Sequence, residues 1–139
     1  MVAGAQDNTE ARFDRARVAT LIQSTQPDDP LAILRPEVLR RTAHSFLRGF
    51  PGQVSYAVKA NPAPDILRIL VQSGITVFDV ASVPEMLAVR AICPSARLHY
   101  HNPVRSLSEI AQAKALGIAS WSVDRMSELA KLGDLPNGT

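Results

Sequence analysis

Four polar residues that end apolar runs are spaced almost evenly along the chain. Lys59, Asp79, Asn102 and Asp124 stand 20, 23 and 22 residues apart. Each closes or follows a run rich in strand-forming residues, over 53–58, 75–78, 97–100 and 118–123. After each run, apolar residues recur at helical spacing, predicting helices over 64–73, 83–92, 106–116 and 125–132. The expected inward residues are Ile66, Leu67, Ile69 and Leu70, then Met86, Leu87, Val89 and Ile92. Leu107, Ile110, Ala111 and Leu116 follow, and finally Met126, Leu129 and Leu132. Gly74 and Gly117 supply helix stops. One strand and one helix in twenty-odd residues make a βα unit, and four in succession imply an α/β fold of parallel strands with right-handed crossovers. Short helices and tight loops suit a (β/α)₈ barrel. A doubly wound open sheet competes on pattern alone, although no Gly-x-Gly-x-x-Gly follows any strand.

The repeat does not start at the N-terminus. Residues 1–27 are polar, with Phe13, Val18, Leu21 and Ile22 at spacings that give one face of a short helix. Prolines 27 and 30 end it. Leu31-Ala32-Ile33-Leu34 reads as a short strand, and Pro36 opens a helix with Val38, Leu39, Ala43 and Leu47 inward. A net charge of +2 and no basic run with interleaved aromatics argue against a nucleic-acid partner. One cysteine, Cys93, excludes an internal disulfide and suits a reducing compartment. No apolar stretch has the length to span a bilayer, and Asp7, Glu10 and Asp14 interrupt any signal-peptide pattern. A cytoplasmic location without membrane partners is the expectation.

Chemistry concentrates at the strand ends, where ligands sit in α/β folds. Lys59 ends the run Val54-Ser55-Tyr56-Ala57-Val58, and Asn61-Pro62 breaks the chain directly after it. A lysine amine in a partly apolar pocket loses its proton readily and attacks carbonyls to give a Schiff base. Its other reading is a lysine with its head in water. Asp79 is either a charged neighbour that tunes the lysine or a carboxylate satisfied by helix N–H groups. Ser82 and Glu85 have capping-box spacing. His99 and His101 share a strand face, the geometry of a pair of metal ligands, but no third ligand lies near in sequence and no metal is expected. Arg105 either meets a carboxylate or is solvated, and Asp124 is expected to cap the last helix. Nothing near Cys93 activates a thiol.

Tyr56-Ala57-Val58-Lys59-Ala60-Asn61-Pro62 resembles the cofactor-lysine segment of the barrel-type pyridoxal-phosphate decarboxylases acting on ornithine, diaminopimelate and arginine, whose fold alanine racemases share. Phe78-Asp79-Val80-Ala81-Ser82 with Glu85, His101-Asn102-Pro103-Val104, and Trp121-Ser122-Val123-Asp124 with Glu128-Leu129 match in order, across roughly residues 28–135. The resemblance implies a partial TIM barrel, its first four βα units, with residues 28–139 as the N-terminal half of the cofactor-binding domain. A complete barrel takes ~250 residues, so the segment after Gly133 is expected to lead toward a fifth strand. The resemblance further implies that Lys59 carries pyridoxal 5'-phosphate, that Asp79 lies at the cofactor, and that the partner is an amino-acid substrate, with a homodimer in the full-length family. The His-Asn-Pro loop resembles ornithine-type more than diaminopimelate-type enzymes, which implies decarboxylation of L-ornithine to putrescine. Diaminopimelate or lysine decarboxylation, racemisation, and a non-catalytic fragment that pairs with a full-length subunit are the alternatives.

Overall fold

The computed structural model describes residues 5–133, with side chains from Arg15 onward. It contains two compact units, Met1–Leu34 and Arg35–Thr139. In the first, α1 runs Ala5–Thr25, longer than the short helix expected. Val18 is half-buried, Leu21 and Ile22 are exposed, and the Phe13 side chain lies outside the described residues. Residues 31–34 form no strand, contrary to the sequence reading. An apolar run becomes a strand only where a neighbour takes its backbone bonds, and Leu31, Ile33 and Leu34 stay exposed.

The second unit is wound around a four-stranded parallel sheet of order β1-β2-β3-β4, with β1 at Tyr56–Ala57, β2 at Val77–Val80, β3 at Arg97–Tyr100 and β4 at Ser120–Trp121. Helix α2 (Pro36–Gly49) precedes β1. Helices α3 (Pro64–Gln72), α4 (Val83–Ile92) and α5 (Leu107–Ala115) join successive strands, and α6 (Met126–Leu132) follows β4. Each helix from α3 to α6 packs on the one before it. Strand order that follows sequence order, without reversal, is barrel winding, whereas a doubly wound sheet reverses at a switch point. The four expected βα units are all present.

The core lies between the sheet and the helices. Val58, Phe78, Val80, Leu98 and Tyr100 are fully buried there against Leu67, Leu70, Met86, Val89 and Ala113. The helices use a narrower stripe than the sequence suggested. Leu87, Leu107, Met126 and Leu129, expected inward, are exposed, Met126 by 76%. The strands are also shorter at both edges: 53–58 contracts to Tyr56–Ala57, and 118–123 to Ser120–Trp121. An edge strand has one neighbour and pairs only where that neighbour reaches it.

Local chemistry sets the helix ends. Pro64 and Pro84 fall in first turns, where a missing N–H costs nothing. Ser82 caps α4 as expected, accepting from the Glu85 N–H at 3.5 Å, but the Glu85 carboxylate accepts from Ala81 N–H, one residue before the cap. A complete capping box, not anticipated, starts α5: Ser106 Oγ accepts from Glu109 N–H at 3.2 Å, and Glu109 Oε2 accepts from Ser106 N–H at 2.9 Å. The Ser106 N–H, then its hydroxyl, hold the Glu109 carboxyl below the usual carboxylate range. A carboxyl depressed in the folded state adds stability above its unfolded pKa and loses it as pH falls through the folded value. Ser106→Ala removes the cap hydroxyl and is expected to cost about 0.5–2 kcal/mol at neutral pH, with the gap narrowing in urea unfolding curves as acid protonates Glu109. Asp124 does not cap α6. The cap position is Arg125, which makes no side-chain cap bond, and Asp124 instead lies 3.4 Å from Arg125 Nε.

Arg90 ties the helix layer together at its lower end. Its guanidinium donates to the carbonyls of Pro94, Ala96, Leu116 and Gly117, at 2.5–3.2 Å. This one side chain thereby joins the α4–β3 loop to the α5–β4 loop.

Candidate functional site

Parallel βα winding brings the C-terminal ends of all four strands to one edge of the sheet, where the loops to the helices begin. Lys59 lies on that edge, but not at the end of a long strand. It sits in a 3₁₀ turn, Val58–Ala60, directly after β1. Three bonds hold the turn: Asn61 N–H donates to Val58 O at 3.1 Å, Asn61 Oδ1 accepts from Ala63 N–H at 3.0 Å, and Tyr56 hydroxyl donates to Asn61 O at 3.2 Å. Val58 is buried beneath the turn and the Lys59 side chain is exposed above it. The residues around the lysine thus fix its backbone while leaving its amine accessible. The Tyr56 hydroxyl was not anticipated as part of the site, and burial pushes its pKa up. Tyr56→Phe is expected to lower stability by about 0.5–1.5 kcal/mol, read as a lower urea midpoint with unchanged slope.

Side chains alternate across the sheet. Residues Ala57, Asp79, His99 and Ser120 form one register row on the face away from the core. Asp79 is half-buried, and its Oδ1 lies 3.0 Å from His101 Nδ1. His99 Nδ1 lies 2.5 Å from Ser120 Oγ. Burial, then the electrostatic influence of Arg97 and His101, push the His99 imidazole below its ordinary value, against the pull of Asp79. The two imidazoles share a face, 5.9 Å between ring centroids. Among the described residues no three His, Cys, Asp or Glu side chains are grouped to hold a metal ion.

Asn102 shapes the loop beside His101. Its amide donates to Ala81 O at 3.4 Å, and its Oδ1 accepts from Val104 N–H at 3.3 Å. Arg105 is neither solvated nor bound to a carboxylate. It is 2% exposed, with its guanidinium 4.6 Å from the Tyr100 ring centroid and 5.3 Å from that of Trp121, and it donates to Tyr100 O and Ser122 O. Aromatic faces stabilise a desolvated guanidinium where no anion does. Cys93 is half-buried, 3.8 Å from Ser95 Oγ.

No helix among the described residues is long and apolar enough to cross a membrane. Residues 37–138 match the family described as "Pyridoxal-dependent decarboxylase, pyridoxal binding domain". The chain is 31% identical over 125 residues to an ornithine decarboxylase of Panagrellus redivivus, covering 86% of this chain and 28% of that protein. It is 29% identical over 136 residues to a diaminopimelate decarboxylase of Bacillus subtilis (strain 168), covering 94% of this chain and 31% of that one. The fold matches the structure of lysine/ornithine decarboxylase from Vibrio vulnificus complexed with putrescine, with a TM-score of 0.73 and 25% identity over 84% of this chain and 32% of that chain. The chain therefore spans about a third of the length of these relatives.

Proposed function

Because the chain belongs to the pyridoxal-dependent decarboxylases, through their pyridoxal-binding domain, we propose that Lys59 is the cofactor lysine of an enzyme that removes the α-carboxylate of a basic amino acid as carbon dioxide. Residues 28–139 are then the N-terminal half of the cofactor-binding barrel. The observation that carries this reading is an exposed amine on a rigid turn at the C-terminal edge of a barrel-wound sheet, with a carboxylate one strand away. These residues fit pyridoxal 5'-phosphate: an accessible lysine amine for its aldehyde, and Asp79 for a positively charged group beside it. When bound, the cofactor supplies the electron sink that the loss of carbon dioxide needs. The 3₁₀ turn fixes the backbone from which the Lys59 amine projects, and the bonds of Tyr56 and Asn61 hold that backbone in place before any reaction. Asp79 favours positive charge at the strand end.

Within this reading the substrate is L-ornithine and the product putrescine, which is polyamine biosynthesis. The His101-Asn102-Pro103 loop and the Panagrellus relative support it. Diaminopimelate or lysine is the alternative substrate, supported by the Bacillus relative and by the Vibrio structure. A homodimeric assembly in the cytoplasm belongs to the same proposal. A second reading, a non-catalytic chain that works by pairing with a full-length subunit, draws on the exposed apolar side chains Val123, Met126 and Leu129 around β4 and α6.

Borohydride reduction after incubation with pyridoxal phosphate tests the proposal. A stoichiometric pyridoxyl adduct on Lys59, competed by ornithine, is the expected result. Labelling scattered over Lys114, Lys131 and the N-terminus would overturn it, and a mixed oligomer with a full-length homologue would then favour the second reading.

A further inference from the structure

The polar face of the sheet contains a contact that joins residues 22 positions apart, Asp79 and His101. Its geometry is built. The His101 N–H donates to Val80 O at 3.0 Å, which carries the β2–β3 ladder one residue past β3. Asn102, the next residue, bonds through its side chain to Ala81 O on the β2 side and to Val104 N–H in its own loop. The loop is thus stitched to the end of β2 on both sides of the imidazole. Its ring is turned toward β2, with its Nδ1 at 3.0 Å from Asp79 Oδ1. His99 is turned the other way, toward Ser120 on β4. The two histidines therefore do different things: His99 is held by a hydroxyl and pushed toward neutrality by burial, while His101 engages the carboxylate.

The same register relates this pair to the lysine. Ala57, two residues before Lys59, pairs with Asp79, and Asp79 pairs with His99, two residues before His101. The 3₁₀ turn that carries Lys59 and the loop that carries His101 therefore follow the two strands on either side of β2. We propose that His101 is a positioning residue that holds the Asp79 carboxylate and tempers its charge toward Lys59. This inference rests on Lys59 being the cofactor lysine.

The physical consequence has a definite sign. An amine attacks an aldehyde only when neutral. A nearby free carboxylate favours the ammonium form, and a carboxylate engaged by an imidazole does so less. Among the described residues the charged and titratable groups on this face are Asp79 on β2, Arg97 and His99 on β3 and His101 after it, with neutral Ser120 on β4, and Lys59 follows β1 in its 3₁₀ turn. Removing His101 leaves Asp79 free to act on Lys59. Adduct formation should then need a higher pH.

The test measures the pH profile of pyridoxal-phosphate adduct formation on Lys59, followed by absorbance and localised by reduction and peptide mass. His101→Ala is expected to move the profile alkaline by about one pH unit, which is about tenfold slower adduct formation at neutral pH. His101→Gln retains an N–H donor for Asp79 and is expected to recover most of the rate. In an Asp79→Asn background, His101→Ala should change nothing further. A His101→Ala profile that superimposes on wild type would overturn the proposal. Wild type without an adduct on Lys59 would overturn the cofactor reading instead. A cofactor-free readout keeps the two apart: the ¹⁵N signals of His101 should move on Asp79→Asn while those of His44 do not. Unmoved His101 signals would show that the pair does not exist.

Discussion

On the cofactor role proposed for Lys59, Lys59→Arg is expected to abolish the reducible pyridoxal-phosphate adduct while leaving the fold intact. Arginine retains the positive charge, but a guanidinium does not give up its proton in proteins and is no nucleophile toward an aldehyde. The substitution therefore separates charge from reactivity. Stability should stay within about 0.5 kcal/mol of wild type, because the side chain is exposed and the turn is held by Tyr56, Asn61 and Val58 rather than by the lysine. In the proposed decarboxylase, once assembled, kcat should fall by roughly three orders of magnitude or more, as for other covalent catalytic groups. Intact mass after reduction, a urea unfolding curve and a decarboxylation rate together check it. An adduct that persists in Lys59→Arg would place the reactive amine elsewhere.

Phe78→Ala carries the largest expected effect on folding. Phe78 is fully buried at the centre of β2, 6.5 Å from the Tyr56 ring centroid in an edge-to-face arrangement. Truncating a buried phenylalanine costs about 3–5 kcal/mol, through lost transfer energy and the cavity left behind. Domain stabilities are about 5–15 kcal/mol, so the variant should lose its cooperative unfolding transition or show it at a much lower urea midpoint. Tyr100→Phe is the companion measurement. Tyr100 is equally buried, yet its hydroxyl has no hydrogen-bond partner among the described residues. Removing a buried, unpaired hydroxyl relieves a desolvation cost, so this change should be neutral or stabilising by about 1 kcal/mol. The contrast tests whether ring volume, rather than polarity, holds the sheet to its helices.

Much of this arrangement is legible in the amino-acid order, because the signals are local. A strand run, a breaker and an apolar stripe repeat within each βα unit, and Ser82 and Pro64 mark helix starts where the structure has them. The failures share a physical cause: they depend on residues distant in sequence. Leu31–Leu34 has strand composition but no strand beside it. Leu87 and Met126 are apolar and helical, but whether a helix position faces the sheet depends on the neighbouring helix too, and these do not. Arg105 is a charge that composition assigns to solvent, and its burial depends on the Tyr100 and Trp121 rings and on the carbonyls of Tyr100 and Ser122. The Asp79–His101 contact requires the β2–β3 register, which no single segment encodes. Lys59 lies at the sheet edge that its strand run implies, but its 3₁₀ turn depends on Asn61, whose sequence signal is only that of a breaker.

The unreversed strand order has a consequence for how the chain acquires its structure. Every pairing in the sheet joins strands that are consecutive in sequence, so each closes a loop of only about twenty residues, at nearly the same entropic cost. A second βα unit can dock as soon as the first exists, without waiting for a distant segment. Such pairing lets growth proceed stepwise from one neighbour to the next, as in linear repeat arrays, and is compatible with assembly in the order of emergence during synthesis.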